Sequence, residues 1–394
     1  MGLFDKTDKT FRGKSNWQLR KEIWILRLIF NRLILNLNVR IINRILSTRI
    51  PIKWIVWPVI YKKFCSGETI QSSIKVVQEN WKLGVYSYIG YAVEANGDPN
   101  QFDTNFKQII NEIKYSKAFE PLRFAVFKPT SLGQCDLFEI IQKKDNLSNV
   151  QKGHWEKIIN RFDQLALESA KYRINLLIDA EESWIQNAID DLSIAQIKRY
   201  NNNQAIIYTT VQMYRKDGME KLKKLKGLAQ TEKVVVGVKL VRGAYLEKEN
   251  KRALSKGYES PICNSKKDTD KNFLEGVEYI LKHLDYFSLF LGTHSESSIL
   301  YCIDLMSKMR LKKNHERIWF SQLFGMGDHI TYNMALNGYN TVKYIPYGPL
   351  RDIIPYLLRR AQENSSVIGH ASREIELIKQ ELRNRKSKIS RLSI

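Results

Sequence analysis

At 394 residues the chain is too long for one small domain and short for three. Its 43% apolar and 11% aromatic residues exclude wholesale disorder. Sixty-three Lys and Arg against 41 Asp and Glu leave a net charge of +22, which points to an anionic partner, either a membrane face or nucleic acid.

The charge is concentrated at the start. Residues 1–64 carry 14 Lys and Arg against 3 Asp and Glu, while the middle of the chain is only mildly basic. That spread argues against a dedicated nucleic-acid protein. Two apolar stretches lie in this basic segment. Ile23–Leu37 is interrupted by Arg27 and Arg32, and Ile50–Tyr61 contains Lys53 and two prolines. Neither reaches the roughly 18 uninterrupted apolar residues of a membrane span, and no targeting peptide is visible. Trp17, Trp24, Trp54 and Trp57 stand here among basic residues, a pattern that suits an interfacial segment on an anionic membrane. An amphipathic arm packed on the next domain is the other reading. The expected division is a basic helical arm over 1–80, a catalytic domain over 81–370 and a basic helical tail over 371–394.

From Val85 onward short apolar runs alternate with longer amphipathic stretches. The expected strands are Val85–Val93, Arg123–Phe127, Ile174–Asp179, Ala205–Val211, Val234–Val241, Ser288–Gly292, Arg317–Gln322 and Val342–Ile345. Most are continuous rather than alternating, as strands buried on both faces should be. Helical patterns lie between them, including Trp155–Lys171, Trp184–Tyr200, Met219–Ala229, Asn272–Leu284, Ser297–Leu311 and Pro349–Asn364. Eight such units close into a (β/α)8 barrel.

In that fold chemistry sits at the C-terminal ends of the strands. Those ends read Lys128-Pro129, Asp179-Ala180-Glu181, Gln212, Arg242-Gly243-Ala244-Tyr245, Thr293-His294, Gln322-Leu323 and Tyr344. Singly, each has an ordinary explanation as a helix cap or turn. Together on one rim they indicate a site. After the eighth strand, Tyr356, Arg359, Arg360 and Glu363 share one helix face. Two adjacent guanidiniums suit a carboxylate or phosphate, and Lys128 could add a third cation. A solvated basic face is the alternative. Gly325-Met326-Gly327 lacks the third glycine of a dinucleotide fingerprint and carries no weight. Cys65, Cys135, Cys263 and Cys302 are far apart, so neither a metal site nor a disulfide framework is expected.

The runs LLIDAEES (176–183), GVKLVRGAY (237–245), LGTHS (291–295), QLFGMGDHIT (322–331) and YIPYGPLRDIIPYLLRRAQENSS (344–366) resemble the proline dehydrogenase family, most closely its monofunctional, mitochondrial-type branch. The resemblance extends in order from about Phe64 to Ser366. It implies a distorted barrel holding FAD at the C-terminal face of the strands. It further implies oxidation of L-proline to Δ1-pyrroline-5-carboxylate, with hydride passing to flavin N5 and electrons going on to a membrane quinone.

By the same resemblance Lys128, Arg359 and Arg360 would hold the substrate carboxylate, and Tyr344 and Tyr356 would shape the ring pocket. Asp179 and Lys239 would be catalytic. Ala180, Gln212, Val241, Arg242, Gly243, Ala244, Tyr245, Lys266, Thr293, His294, Gln322 and Leu323 would bind the cofactor. Lys239 stands where many bacterial relatives carry arginine, Asn264 where relatives often show threonine, and Tyr86–Glu94 departs from the usual pattern. The implied location is cytoplasmic, peripheral on the inner face of the cell membrane, or the mitochondrial-matrix equivalent. Three alternatives are carried alongside: a 4-hydroxyproline dehydrogenase, a folate-type FAD reductase using NAD(P)H, and a non-enzymatic basic adaptor. Tyr344 should crowd a ring hydroxyl and so favours proline.

Overall fold

The computed structural model describes residues 2–30, 61–92, 99–350, 353 and 368–392. The eight expected strands are present: β1 (Tyr86–Tyr91), β2 (Phe124–Phe127), β3 (Asn175–Ile178), β4 (Ile207–Gln212), β5 (Val236–Val241), β6 (Phe287–Gly292), β7 (Ile318–Leu323) and β8 (Thr341–Tyr347). They form one parallel sheet in the order β1-β8-β7-β6-β5-β4-β3-β2. An isolated bridge from Ser87 to Leu122, with the Ser87 N–H donating to the Pro121 carbonyl at 2.9 Å, brings β1 against β2. The result is a nearly closed (β/α)8 barrel.

Successive side chains of a strand point to opposite faces, so each apolar run serves two cores. On β5, Val236, Val238 and Leu240 face outward and join Leu289, Leu291, Ile318 and Phe320 against the helices. The inward positions below the rim are filled by Tyr88, Phe124, Tyr208, Phe290 and Val342, with Trp319 packed on them. Phe124 meets Phe290, Trp319 and Tyr208 edge to face at 4.9, 5.1 and 6.0 Å between ring centres. These aromatic contacts plug the barrel floor. The same alternation then places Gly90, Lys128, Asp179, Gln212, Lys239, Gly292 and Tyr344 inward at the open end.

The helices Asn149–Tyr172, Ser183–Tyr200, Gly218–Glu232, Lys266–Lys282 and Glu296–Lys308 occupy the stretches read as helical. Four more were not among the expected elements: Pro99–Ala118, Cys135–Lys143, Leu246–Lys256 and Asp328–Leu336. The last expected helix, Pro349–Asn364, lies almost wholly outside the described residues, as do Trp54 and Trp57.

The described parts of the basic arm and of the tail pack on each other. Helix Asn16–Phe30 buries Leu19 and Leu26 with Phe11 against Leu377 and Ile378 of helix Ile368–Leu392. Charged side chains fill the space between this pair and the barrel. Glu22 accepts from Lys14 at 2.7 Å and Lys63 at 2.6 Å, Lys63 reaches Glu374 at 3.2 Å, and Lys14 reaches Asp328 at 3.4 Å. Asp328 also pairs with Lys343 of β8, whose side chain is 1% exposed. Burial opposes the charge on Asp328, but Lys343, Lys14 and Lys63 outweigh it and hold the carboxyl well below its ordinary value. Helix Ile70–Trp81 packs on the barrel as well. Ile70 and Val77 pack on Ile89 of β1 and Ile345 and Tyr347 of β8.

Candidate active site

A cavity of about 1040 Å³ opens at the C-terminal ends of the strands. Its lining brings together Lys128, Asp179, Ala180, Gln212, Lys239, Val241, Arg242, Gly243, Ala244, Tyr245, Lys266, Thr293, His294, Gln322, Leu323 and Tyr344. These residues come from seven strand ends and from the start of helix Lys266–Lys282. Tyr356, Arg359 and Arg360 lie outside the described residues.

The centre of the cavity is an ion pair. Lys239, the inward residue of β5, donates to the Asp179 carboxylate at 2.5 Å, and its ammonium stands 6.0 Å above the Phe290 ring. Both side chains are mostly shielded from water, so their charges act at low local dielectric. Lys128 extends from the end of β2 with its ammonium 5.9 Å from the centre of the Tyr245 ring. Tyr344 closes one wall, 5.0 Å from Tyr88 between ring centres. Gly90 makes room for it: a Cβ there would stand 2.6 Å from the Tyr344 ring.

The β4 and β5 ends are tied to each other. Met213 and Tyr214 donate their N–H groups to the carbonyls of Val241 and Arg242 at 2.8 and 2.7 Å. Gly243 sits at φ +132°, a backbone state open to glycine, and a Cβ would meet the Tyr214 ring at 2.4 Å. Gln212 donates its amide N–H to the Glu181 carbonyl at 2.8 Å. Its amide oxygen thus remains as an acceptor at the cavity wall. Gln322 is held on both sides, donating to the Thr293 carbonyl at 3.1 Å and accepting from Thr331 at 2.9 Å. The Leu323 N–H donates to His294 Nε2 at 3.4 Å.

One end of the cavity is rich in hydroxyls and charge. Thr293, Ser295, Ser297 and Ser298 gather at the N-terminus of helix Glu296–Lys308. Arg242 donates to Asp270 at 2.8 Å, Thr293 at 3.0 Å and Ser298 at 2.9 Å, and stacks 4.2 Å over Phe273. Lys266 reaches the other oxygen of Asp270 at 2.7 Å. Burial works against the Asp270 charge, but the bonds from Lys266 and Arg242 keep the carboxyl below its ordinary value. This end offers cationic and hydroxyl donors beside a helix N-terminus, the chemistry that receives phosphate.

Sequence reasoning passed over several lining residues, among them Thr210 and Phe290, and placed Glu181 on the rim without giving it a role. Phe290 was readable as an inward position of β6. Glu181 is buried, and burial pushes its carboxyl up to about 7 against the opposing charge of Lys128 and the bonds from Thr130.

A family model described as "Proline dehydrogenase" matches residues 73–373. Among curated proteins, the carbapenem antibiotics biosynthesis protein CarD of Pectobacterium carotovorum subsp. carotovorum is 33% identical over 322 residues, 82% of this chain and 83% of that protein. The hydroxyproline dehydrogenase of Xenopus laevis is 26% identical over 95% of this chain and 88% of its own. The mitochondrial proline dehydrogenase 1 of Homo sapiens is 34% identical over 232 residues, 58% of this chain and 39% of that protein. Among solved structures, proline utilization A from Bdellovibrio bacteriovorus superposes with a TM-score of 0.70 at 20% identity, covering 78% of this chain. This chain spans about a third of that protein's length (32%), so the likeness concerns one domain's fold.

Proposed function

The chain belongs to the proline dehydrogenase family, and on that premise we propose that its cavity holds FAD and oxidises L-proline to Δ1-pyrroline-5-carboxylate. The observation that carries the reading is one cavity whose wall holds the Lys239–Asp179 pair together with Lys128 and Tyr344, suited to a small acid, and with Lys266, Arg242 and the serines, suited to phosphate. The residues fit the cofactor. The cavity is large enough, Gln212 presents an acceptor, and Gly243 and Ala244 let the wall approach closely. Bound FAD would supply the two-electron acceptor for the hydrogen on the carbon next to the ring nitrogen.

The protein's part is position and charge. Lys128, with Arg359 and Arg360 expected beside it, holds the substrate carboxylate and so fixes the orientation of the ring. Tyr344 and Phe290 bound the space for that ring and exclude water. Lys239 places a fixed positive charge where negative charge develops, and Asp179 holds that ammonium in place before reaction begins. The electrons then pass to a membrane quinone. Helix Asn16–Phe30 supplies a surface for that visit, since Trp17 and Trp24 are 68% and 58% exposed on the same face as Arg20, Lys21 and Arg27. No helix among the described residues is long and apolar enough to cross a membrane.

The test is the visible spectrum of the purified protein under anaerobic conditions. L-proline should bleach a bound flavin, and NADH should not. A colourless protein that takes up no FAD, or a flavin bleached by NADH and not by proline, overturns the proposal. The likeness to a hydroxyproline dehydrogenase motivates a second reading. The contact of Tyr344 with the Gly90 notch argues for proline, so 4-hydroxyproline should bleach the flavin more slowly.

A further inference from the structure

Glu181 takes no part in the chemistry above, yet it joins three strand ends. Its side chain is buried, the residue being 4% exposed, and it lines the cavity. One carboxylate oxygen accepts the Thr130 N–H at 2.8 Å and the other accepts the Thr130 hydroxyl at 2.7 Å. Its own N–H donates to Gln186 at 2.7 Å, and its carbonyl accepts from Gln212 at 2.8 Å. Glu181 therefore follows β3 while gripping the segment after β2 and the last residue of β4.

Thr130 is the middle residue of a single 3-10 turn, Pro129–Ser131, and Lys128 is the residue that caps it. Inside the turn, the Ser131 hydroxyl and N–H both donate to the Lys128 carbonyl, at 2.6 and 2.9 Å. The turn is thus internally closed. From outside, Glu181 ties it through both bonding groups of Thr130, and the Asn105 amide donates to the Ser131 carbonyl at 3.0 Å. Among the described residues, Glu181 supplies two of the three bonds that hold the turn from outside, both at Thr130, so losing them lets the turn pivot about Ser131 and carries Lys128 with it.

We propose that Glu181 is a positioning residue: through Thr130 it sets where the Lys128 ammonium stands over the cavity, and thereby the affinity for the substrate carboxylate. The inference rests on the reading of the cavity as a proline site. It concerns geometry rather than the charge of Glu181, and this separates two substitutions. Glu181→Ala removes both bonds to Thr130. Glu181→Gln can keep both, its oxygen accepting from the N–H and its amide donating to the hydroxyl.

The experiment is steady-state kinetics with proline, alongside bound-flavin content, in the wild type, E181A, E181Q, T130A and the same changes combined with K128M. E181A should raise KM about tenfold with kcat within about threefold, the cost of two lost hydrogen bonds. E181Q should return KM to within about threefold of the wild type. T130A, which loses one bond, should raise KM about threefold, and it decides the matter if E181A does not fold. Combined with K128M, neither E181A nor T130A should cost anything further. An E181Q as impaired as E181A, effects that add to those of K128M, or a folded T130A with unchanged KM would each overturn the inference. A wild type whose flavin proline does not bleach would instead overturn the functional reading beneath it.

Discussion

Lys239 brings one positive charge to the middle of a cavity whose neighbouring walls are Phe290, Val241 and Tyr344. A fixed charge there is already oriented by Asp179, so on the proposed reading little reorganisation would accompany transfer of the electrons. Lys239→Met should therefore lower kcat about a hundredfold while changing KM for proline much less. Kinetics on protein with full flavin content would check this, and an unaltered kcat would sink the role. Residues of this kind were legible in the sequence because the barrel imposes a period of two. Lys128 and Asp179 each stand one position past an apolar run, on the inward register. Glu181 could be placed on the rim from the sequence, but its role was not legible. An acid just before a helical stretch reads as a cap, and its burial depends on Thr130, a residue remote in sequence that packs against it only in the folded barrel.

At the scale of elements, visibility followed the number of apolar residues a helix buries along its length. Helix Asn149–Tyr172 buries Ile158, Phe162, Leu165, Ala166 and Ser169 at helical spacing and stood out. Helix Asp328–Leu336 buries residues around most of its circumference, including Asp328, His329 and Asn333, so no polar face marked it. Helix Leu246–Lys256 is hidden for the opposite reason, since it buries only Glu249 and Ala253. Helix Pro99–Ala118 is mostly polar, yet it carries Glu112 into the core, where the Tyr347 hydroxyl donates to it at 2.6 Å.

Burial pushes the Glu112 carboxyl up to about 8 from an ordinary 4.5. The folded protein thus keeps a proton that the unfolded chain releases. The stabilising effect is full at low pH and is lost as pH rises through about 8. Glu112→Gln cannot ionise. Its melting temperature should gain on that of the wild type steadily between about pH 5 and about pH 9. A gap that stays constant in thermal unfolding across that range would refute the buried proton.

For the whole molecule, the packing of helices Asn16–Phe30 and Ile368–Leu392 on the barrel depends on charges largely held out of water. Asp328 faces Lys343 and Lys14, while Glu22 and Glu374 face Lys63. Replacing a buried pair can be neutral, but removing one partner strands the other. Asp328→Asn should destabilise the protein by about 3–5 kcal/mol, with the buried Lys343 left facing an amide. Denaturant titration would measure this, and a loss under about 1 kcal/mol would show the network to be solvated. The outer face of the same helix pair is tested separately. Replacing Trp17 and Trp24 by alanine should weaken binding to anionic vesicles and leave reduction of the flavin by proline intact. Unchanged co-sedimentation would remove this helix from the membrane assignment.

The joint of Leu19 and Leu26 with Leu377 and Ile378 has a temporal side. Ribosomes make the tryptophan-bearing helix before the barrel strands and its greasy counterpart after them. Until translation has passed through every strand of the barrel, Leu19 and Leu26 lack Leu377 and Ile378 to lie against. The growing chain therefore exposes a cationic, sticky segment, open to chaperones or lipid, well before the barrel that follows it can work.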